Sequence, residues 1–255
     1  MESELRKSTL ARLARLNDDQ IGLLNVVIDS FEQPIRSERL PDSDVISEKF
    51  LVAFGNLLKL HHSLSTDYLD KARFETAIEK ICRATGRSAD RPDNRCNPGH
   101  DITVDGVPWS LKTQGDLQIK ADSLHISKFM ELGKGKWETD KRDLIGLRDQ
   151  FFEHMRSYER IFQLRYFGKS SPASADATHR YELVEIPKAL LLEARTGELE
   201  MNHESRQTPR PGYCTVRDRN NEIKFQLYFD GGTERKLQIK HLRKDLCIVH
   251  ATWEF

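Results

Sequence analysis

The sequence predicts an α+β chain built on a mixed sheet, and three observations carry that prediction. Apolar residues recur at helical spacing as far as Gly86. The period then changes to two between Asp101 and Gln114. Strand-like runs dominate the C-terminal end, and a chain that alternates helices, a hairpin, helices and strands needs a sheet covered by helices.

Each element has its own signal. Asn17-Asp18-Asp19-Gln20 is a capping-box start, Leu24, Val27, Ile28 and Phe31 follow at helical spacing, and Pro34 stops the helix. A second helix is expected from about Ser43, with Phe50, Phe54, Leu57 and Leu58. A third is expected from Thr66 or Asp67, with Phe74, Ile78 and Ile81, ending at Gly86. Residues 87–99 are polar, contain two prolines and read as a loop. Asp105-Gly106 between alternating runs is a hairpin turn. Leu124–Leu132 and Asp143–Ser157 read as helices, and Ile161–Phe167 and Tyr181–Ile186 as strands. Residues 168–178 are a small polar loop. Tyr213–Val216, Ile223–Phe229, Leu237–Ile239 and Cys247–Trp253 read as strands. The length suits one domain, with a helical part over 1–65, a core over 66–167 and a β-rich part over 168–255.

Composition narrows the function. The 255 residues carry 40 Lys+Arg and 40 Asp+Glu. A balance of zero excludes a histone-like polycation but allows a local basic surface. No apolar run approaches the ~20 residues of a membrane helix, and the N-terminus lacks a signal-peptide core, so a soluble cytoplasmic protein is expected. Cys82, Cys96, Cys214 and Cys247 form no C-x-x-C, which disfavours a zinc site or a disulfide framework.

The chemistry concentrates in the hairpin. A two-residue turn at Asp105-Gly106 pairs Ile102 with Trp109 and Asp101 with Ser110. Period-two alternation puts Ile102, Val104, Val107, Trp109 and Leu111 on an apolar face and Asp101, Thr103, Ser110, Lys112 and Gln114 on the other. Asp101 and Lys112 then project side by side. A hard divalent cation needs oxygen ligands, which Asp101 and the Leu111 carbonyl can supply. Lys112 can orient or deprotonate water and offset charge on a phosphorane-like transition state. Taken alone, such a pair is more often an exposed ion pair on a surface hairpin.

The order Asp101, Ser110, Lys112 after a helix resembles the PD-(D/E)xK nuclease fold. In that resemblance Phe74-Glu75-Thr-Ala-Ile78 matches the family helix that carries a glutamate. The second acid of the motif is Ser110 here, and a serine is a poor substitute for a carboxylate. Some restriction enzymes of this fold recover the acid from the following helix, which points to Glu131, with Glu79 as a fallback to Glu75. The phrases NPGHDITVDG, SLKTQ, HISKFMELGKG, ELVEIPK, PGYCTV and LYFDGGTERKLQIK are similar to the SmaI group of type II restriction endonucleases, from about residue 70 onward. The resemblance implies a Mg2+-dependent homodimer that cuts double-stranded DNA at a short GC-only palindrome, alongside a cognate DNA methyltransferase in the same host.

Basic clusters indicate where DNA is held. Residues 201–255 contain ten Lys/Arg against seven Asp/Glu. Arg206 and Arg210 lie in a proline-stiffened loop, Arg235 and Lys236 at a Gly-rich turn, and Lys134 and Lys136 in a GKGKW stretch, with Gln114 at the end of the hairpin. Lysines and glycine amides suit phosphate oxygens, whereas arginine suits the guanine edge. A repair nuclease of the same fold and a catalytically inactive DNA-binding protein are the alternative readings.

Overall fold

The computed structural model describes residues 3–92, 99–115, 119–133, 137, 140–168 and 179–255. In chain order it contains α1 (Glu4–Leu13), α2 (Asp18–Glu32), β1 (Arg36–Arg39), α3 (Glu48–His62), α4 (Lys71–Ala84), β2 (Ala89–Asp90), β3 (Ile102–Val104), β4 (Val107–Gln114) and β5 (Ser123–Glu131). There follow α5 (Lys141–His154), β6 (Arg160–Phe167), β7 (Arg180–Glu185), α6 (Lys188–Leu192), β8 (Glu198–Met201), β9 (Gly212–Arg217), β10 (Ile223–Asp230), β11 (Lys236–Arg243) and β12 (Ile248–Glu254). The mixed α+β class read from the sequence is the class observed.

Two sheets organise these elements. The larger has seven strands in the order β1-β12-β7-β6-β4-β3-β2. Its β4–β6 pair is parallel and its other pairs are antiparallel. The smaller has five strands, β5-β11-β10-β9-β8, all antiparallel.

The larger sheet divides two apolar cores. On one face, Phe50, Phe54 and Leu58 of α3 and Phe74, Ile78 and Ile81 of α4 pack on Ile102, Val104, Trp109, Leu111 and Trp253. The second core gathers Phe151 of α5, Ile161 and Val184 of the larger sheet and the inward residues of the smaller sheet. Burying side chains of this size contributes about 1.5–3 kcal/mol each before conformational entropy is subtracted. The last strand, β12, pairs with β1 near the other end of the chain, Trp253 opposite Ser37.

Several expectations change. The segment Leu124–Leu132 is strand β5 and not a helix. Its pairing with β11 shifts register twice, so its buried residues fall at Leu124, Ile126 and Phe129. A bulge turns a period of two into a step of three, and the sequence mimics a helical stripe. Helix α3 starts at Glu48 with Ser47 as its cap, not at Ser43. Ser43 instead accepts from the backbone N–H of Val45 and of Ile46 in a local turn, the usual competition between a hydroxyl and helix continuation. Helix α4 starts at Lys71 behind Asp70, later than Thr66 or Asp67. The polar Arg36–Arg39 segment is strand β1 and gave no apolar signal. The capping box at Asn17 and Gln20 forms as expected. Among the described residues no helix is long and apolar enough to cross a membrane.

Candidate active site

The hairpin is built on a turn whose two central residues are left-handed, Asp105 at φ 49° and Gly106 at φ 79°. Two positive φ values in succession match the right-handed twist of the flanking strands, and glycine takes the second without strain. The Asp105 carboxylate accepts from Arg87 Nε at 2.7 Å and Ser88 N at 2.9 Å, which fastens the turn to the end of α4. The register is the expected one, with Ile102 opposite Trp109, Thr103 opposite Pro108 and Val104 opposite Val107.

That register places Asp101 beside β4. Its N–H donates to the Trp109 carbonyl at 2.9 Å. Its Oδ2 accepts from the Leu111 N–H at 2.6 Å and from Ser110 Oγ at 3.3 Å. Ser110 therefore holds the carboxylate, and the Leu111 side chain anchors the same backbone in the core beneath.

Helix α4 brings two more groups. Lys71 Nζ lies 2.7 Å from Asp101 Oδ1 and 3.4 Å from Glu75 Oε1. Two carboxylates from separate elements thus converge on one ammonium. Burial, the largest single influence on Asp101, pushes its carboxyl upward, but the charges of Lys112 and Lys71 outweigh it and hold the pKa below the usual value. Glu75 goes the other way. Burial raises it, the Lys71 charge opposes, and the Asp101 charge adds to the rise.

Lys112 emerges on the same face of β4, yet that face is not an open surface. Strand β5 covers it, and Lys112 is only 8% exposed. Its Nζ sits 5.4 Å from the centre of the Phe129 ring. Burial brings its pKa down to about 8, with Asp101 and Glu75 opposing and Lys71 assisting. His154 lies behind, edge-on to Phe129 at 5.9 Å. Burial and then the Lys112 charge push its pKa down to about 4, so the ring is neutral at physiological pH. The Tyr158 hydroxyl is buried without a hydrogen-bond partner among the described residues.

Lys71, Lys112, Thr113 and the Ile126–Met130 stretch of β5 line an open cavity of about 380 Å³. Lys128 from that wall pairs with Glu131 at 2.9 Å and with Glu234 at 2.6 Å. Lys71 and Lys128 are the two residues sequence reasoning missed. Lys71 was legible as the i−4 partner of Glu75 on one helix, whereas Lys128 was hidden by reading β5 as a helix.

The remaining sequence candidates separate. Glu131 stands at the end of a strand rather than on a following helix, with its side chain 73% exposed. Glu79 is held by Arg83 at 3.1 Å and Arg91 at 2.8 Å, one turn away from the Asp101 cluster. The basic turns converge. A Cβ on Gly231 would collide with the Pro209 carbonyl, so the Arg206–Gly212 loop and the Asp230–Lys236 turn lie against each other. Arg206 is exposed, and Arg210 reaches His203 Nδ1 at 3.3 Å. Arg235 is at φ 39°, and its carbonyl accepts from Leu132 N–H at 2.8 Å. Lys236 pairs with Glu234 at 3.1 Å. Lys134 and Lys136 lie outside the described residues, but Trp137 beside them donates to the Arg210 carbonyl at 2.9 Å. Gln114 is buried at the far end of β4.

A half-buried carboxylate, a lysine of lowered pKa and converging basic turns suit hydrolysis of a polyanion's phosphodiester. Comparison with known proteins agrees. A family model described as SmaI, type II site-specific deoxyribonuclease, matches residues 9–255. The chain is 46% identical over 212 residues to the type II restriction enzyme SmaI of Serratia marcescens, covering 83% of this chain and 82% of that one. No solved structure gives a significant match. An acid–lysine hairpin inside a match of that extent leaves one assignment: the chain belongs to the SmaI family of type II site-specific deoxyribonucleases.

Proposed function

We propose that this restriction endonuclease is a Mg2+-dependent homodimer that hydrolyses double-stranded DNA at a short GC-only palindrome. The observation that carries the metal reading is the convergence of Asp101 and Glu75 on the Lys71 ammonium. That ammonium stands in for a cation shared by two carboxylates. Among the described residues no group of three or more His, Cys, Asp or Glu side chains surrounds a point. The donor set is therefore two carboxylates, with the Leu111 carbonyl and water. It fits Mg2+, which is usually held by one or two carboxylates plus substrate phosphates. When bound, the ion supplies Lewis-acid polarisation of the phosphate and a more acidic water.

The chain's own groups do the rest. Ser110 and the Leu111 N–H fix the Asp101 carboxylate. Lys112, with its pKa brought to about 8, orients the attacking water or takes its proton, and in its charged form offsets charge on the phosphorus oxygens. Lys71 and Lys128 lead the phosphate into the cavity. Phe129 and the β5 wall keep bulk water from Lys112. Arg206, Arg210, Arg235, Lys236, Lys134, Lys136 and Gln114 hold and read the duplex. Glu75 is the second acid in this reading, with Glu131 the weaker claimant. A palindrome is matched by a two-fold dimer. A cognate methyltransferase in the same cytoplasm protects the host's own sites.

The test is incubation with plasmid DNA and Mg2+, read on a gel. Discrete fragments support the reading, and their mapped ends give the palindrome. A smear would indicate a structure-specific nuclease, and unchanged plasmid an inactive DNA-binding protein. Sizing by light scattering checks the dimer.

A further inference from the structure

Strands β4 and β5 line a second cavity besides the first. Its walls are Gln114, Lys120, Ser123, Leu124, His125, Lys240 and His241, and its volume is about 360 Å³. Lys112 and Thr113 face the first cavity and Gln114 the second, while on β5 the wall passes from Ile126–Met130 to Ser123–His125. The two cavities are lined by neighbouring stretches of β4 and β5.

The second compartment is lined on the cationic side only. No carboxylate lines it. Lys120 and Lys240 form no ion pair among the described residues. Lys240 Nζ rests 3.5 Å from the centre of the Tyr228 ring, with Asp230 acting on it only at a distance. His241 is held at φ 53°, inside the stretch where β11 shifts register against β5. A side chain at positive φ within a strand is unfavourable, and here it turns an imidazole to the cavity. Gln114 is 7% exposed, and its Oε1 has no partner among the described residues. The other end of that side chain, the amide N–H2, is a donor that a phosphate oxygen in the compartment can accept from.

We propose that this second compartment binds a phosphodiester of the DNA strand being cut, beside the scissile one, with Lys120 and Lys240 as its cationic ligands and the Gln114 amide N–H2 donating to it from the β4 side. The inference rests on the endonuclease reading and adds to it a phosphate site on β4, β5 and β11. The spacing suits that occupant. Lys112 and Gln114 are two residues apart on a strand, ~6.8 Å. Phosphates of one strand advance ~3.4 Å each along the duplex axis. The second compartment therefore meets a phosphate one or two nucleotides from the first.

The test compares the full-length protein with a Lys120→Ala/Lys240→Ala double variant. The probe is a duplex spanning a site that the parent cuts, and Mg2+ is omitted. Binding is measured between about 0.05 and 0.2 M NaCl. Each phosphate contact steepens the salt dependence by ~0.9 in logarithmic slope. One phosphate in each of the two compartments of the dimer then predicts that the parent loses about tenfold more affinity over that range than the variant does. Cleavage with Mg2+ at subsaturating duplex should fall in proportion to the loss of affinity. A Lys120→Arg/Lys240→Arg variant should restore the slope. Equal affinity and equal slope in parent and Ala variant would overturn the proposal. If the double variant melts early, Lys120→Ala alone, at an exposed position, is read by the same slope. A parent that neither binds nor cuts any duplex would instead defeat the endonuclease reading.

Discussion

Replacing Lys112 by methionine should abolish cleavage and make the protein more stable. The pKa of this lysine falls from 10.5 in an unfolded chain to about 8 in the folded one. Each unit is worth ~1.4 kcal/mol, so the charged form is disfavoured on folding by about 3 kcal/mol, net of the attraction to Asp101. Methionine keeps the apolar stem against Phe129 and removes the charge. Below the folded pKa, both folded and unfolded parent carry the proton and the full penalty applies. Between about pH 8 and 10.5 the unfolded state binds more protons than the folded one, so the parent's stability rises with pH. Above that window the penalty is gone. The methionine variant lacks this response; Asp101 and His154, which feel the Lys112 charge, titrate well below this window. Urea unfolding at several pH values, without divalent ions, should show the variant ahead by up to ~3 kcal/mol at pH 7 and the gap closing by pH 10.5. A variant less stable at pH 7, or a gap that does not narrow, would refute the burial argument. Cleavage within a few-fold of the parent would refute the role of Lys112.

Three further outcomes can be checked. Asp101→Asn should lose Mg2+-dependent cleavage, because the amide keeps the shape but not the charge a hard dication needs; gel assays across a Mg2+ titration would expose any retained activity. In the same titration Glu75→Gln should fall by more than about tenfold, ~1.4 kcal/mol of barrier, with Glu131→Gln affected less and Glu79→Gln mildly; wild-type rates in both Glu75→Gln and Glu131→Gln would leave Ser110 and water as the complement to Asp101. Glu182→Gln should destabilise by about 3–5 kcal/mol, since Glu182 holds the fully buried Arg165 at 2.9 Å together with Lys244; a melting curve like the parent's would contradict it.

Where local signals and tertiary structure agree, the sequence was readable. The Asp105-Gly106 turn, the hairpin register and the two faces of β4 follow from a dipeptide and a period of two, and they deliver Asp101 next to Lys112. The amphipathic stripe of α4 delivers Glu75. What failed has a physical origin. Strand β5 was concealed because bulges broke its alternation, and with it went Lys128 and the wall that buries Lys112. Nothing local marks Arg36–Arg39 as a strand, because its partner β12 lies more than two hundred residues away. The convergence of the 206–212 loop with the 230–236 turn depends on Gly231 allowing a close approach, a contact that no spacing rule encodes.

The position of β4 between two cores also limits how this gene can change. Trp109 and Leu111 are committed to one side, and Ser110, Lys112 and Gln114 to the other. Substitutions along the strand can be absorbed one at a time, but a codon gained or lost inside it inverts every later side chain. Lys112 would then point into the packing of α3 and α4, and Leu111 into the cleft. Length variation among active relatives must therefore fall outside residues 102–114, in the connections that precede Asp101 and follow Gln114. An alignment that opens a gap within this strand is misaligned or describes a chain in which Ser110, Lys112 and Gln114 no longer share one face.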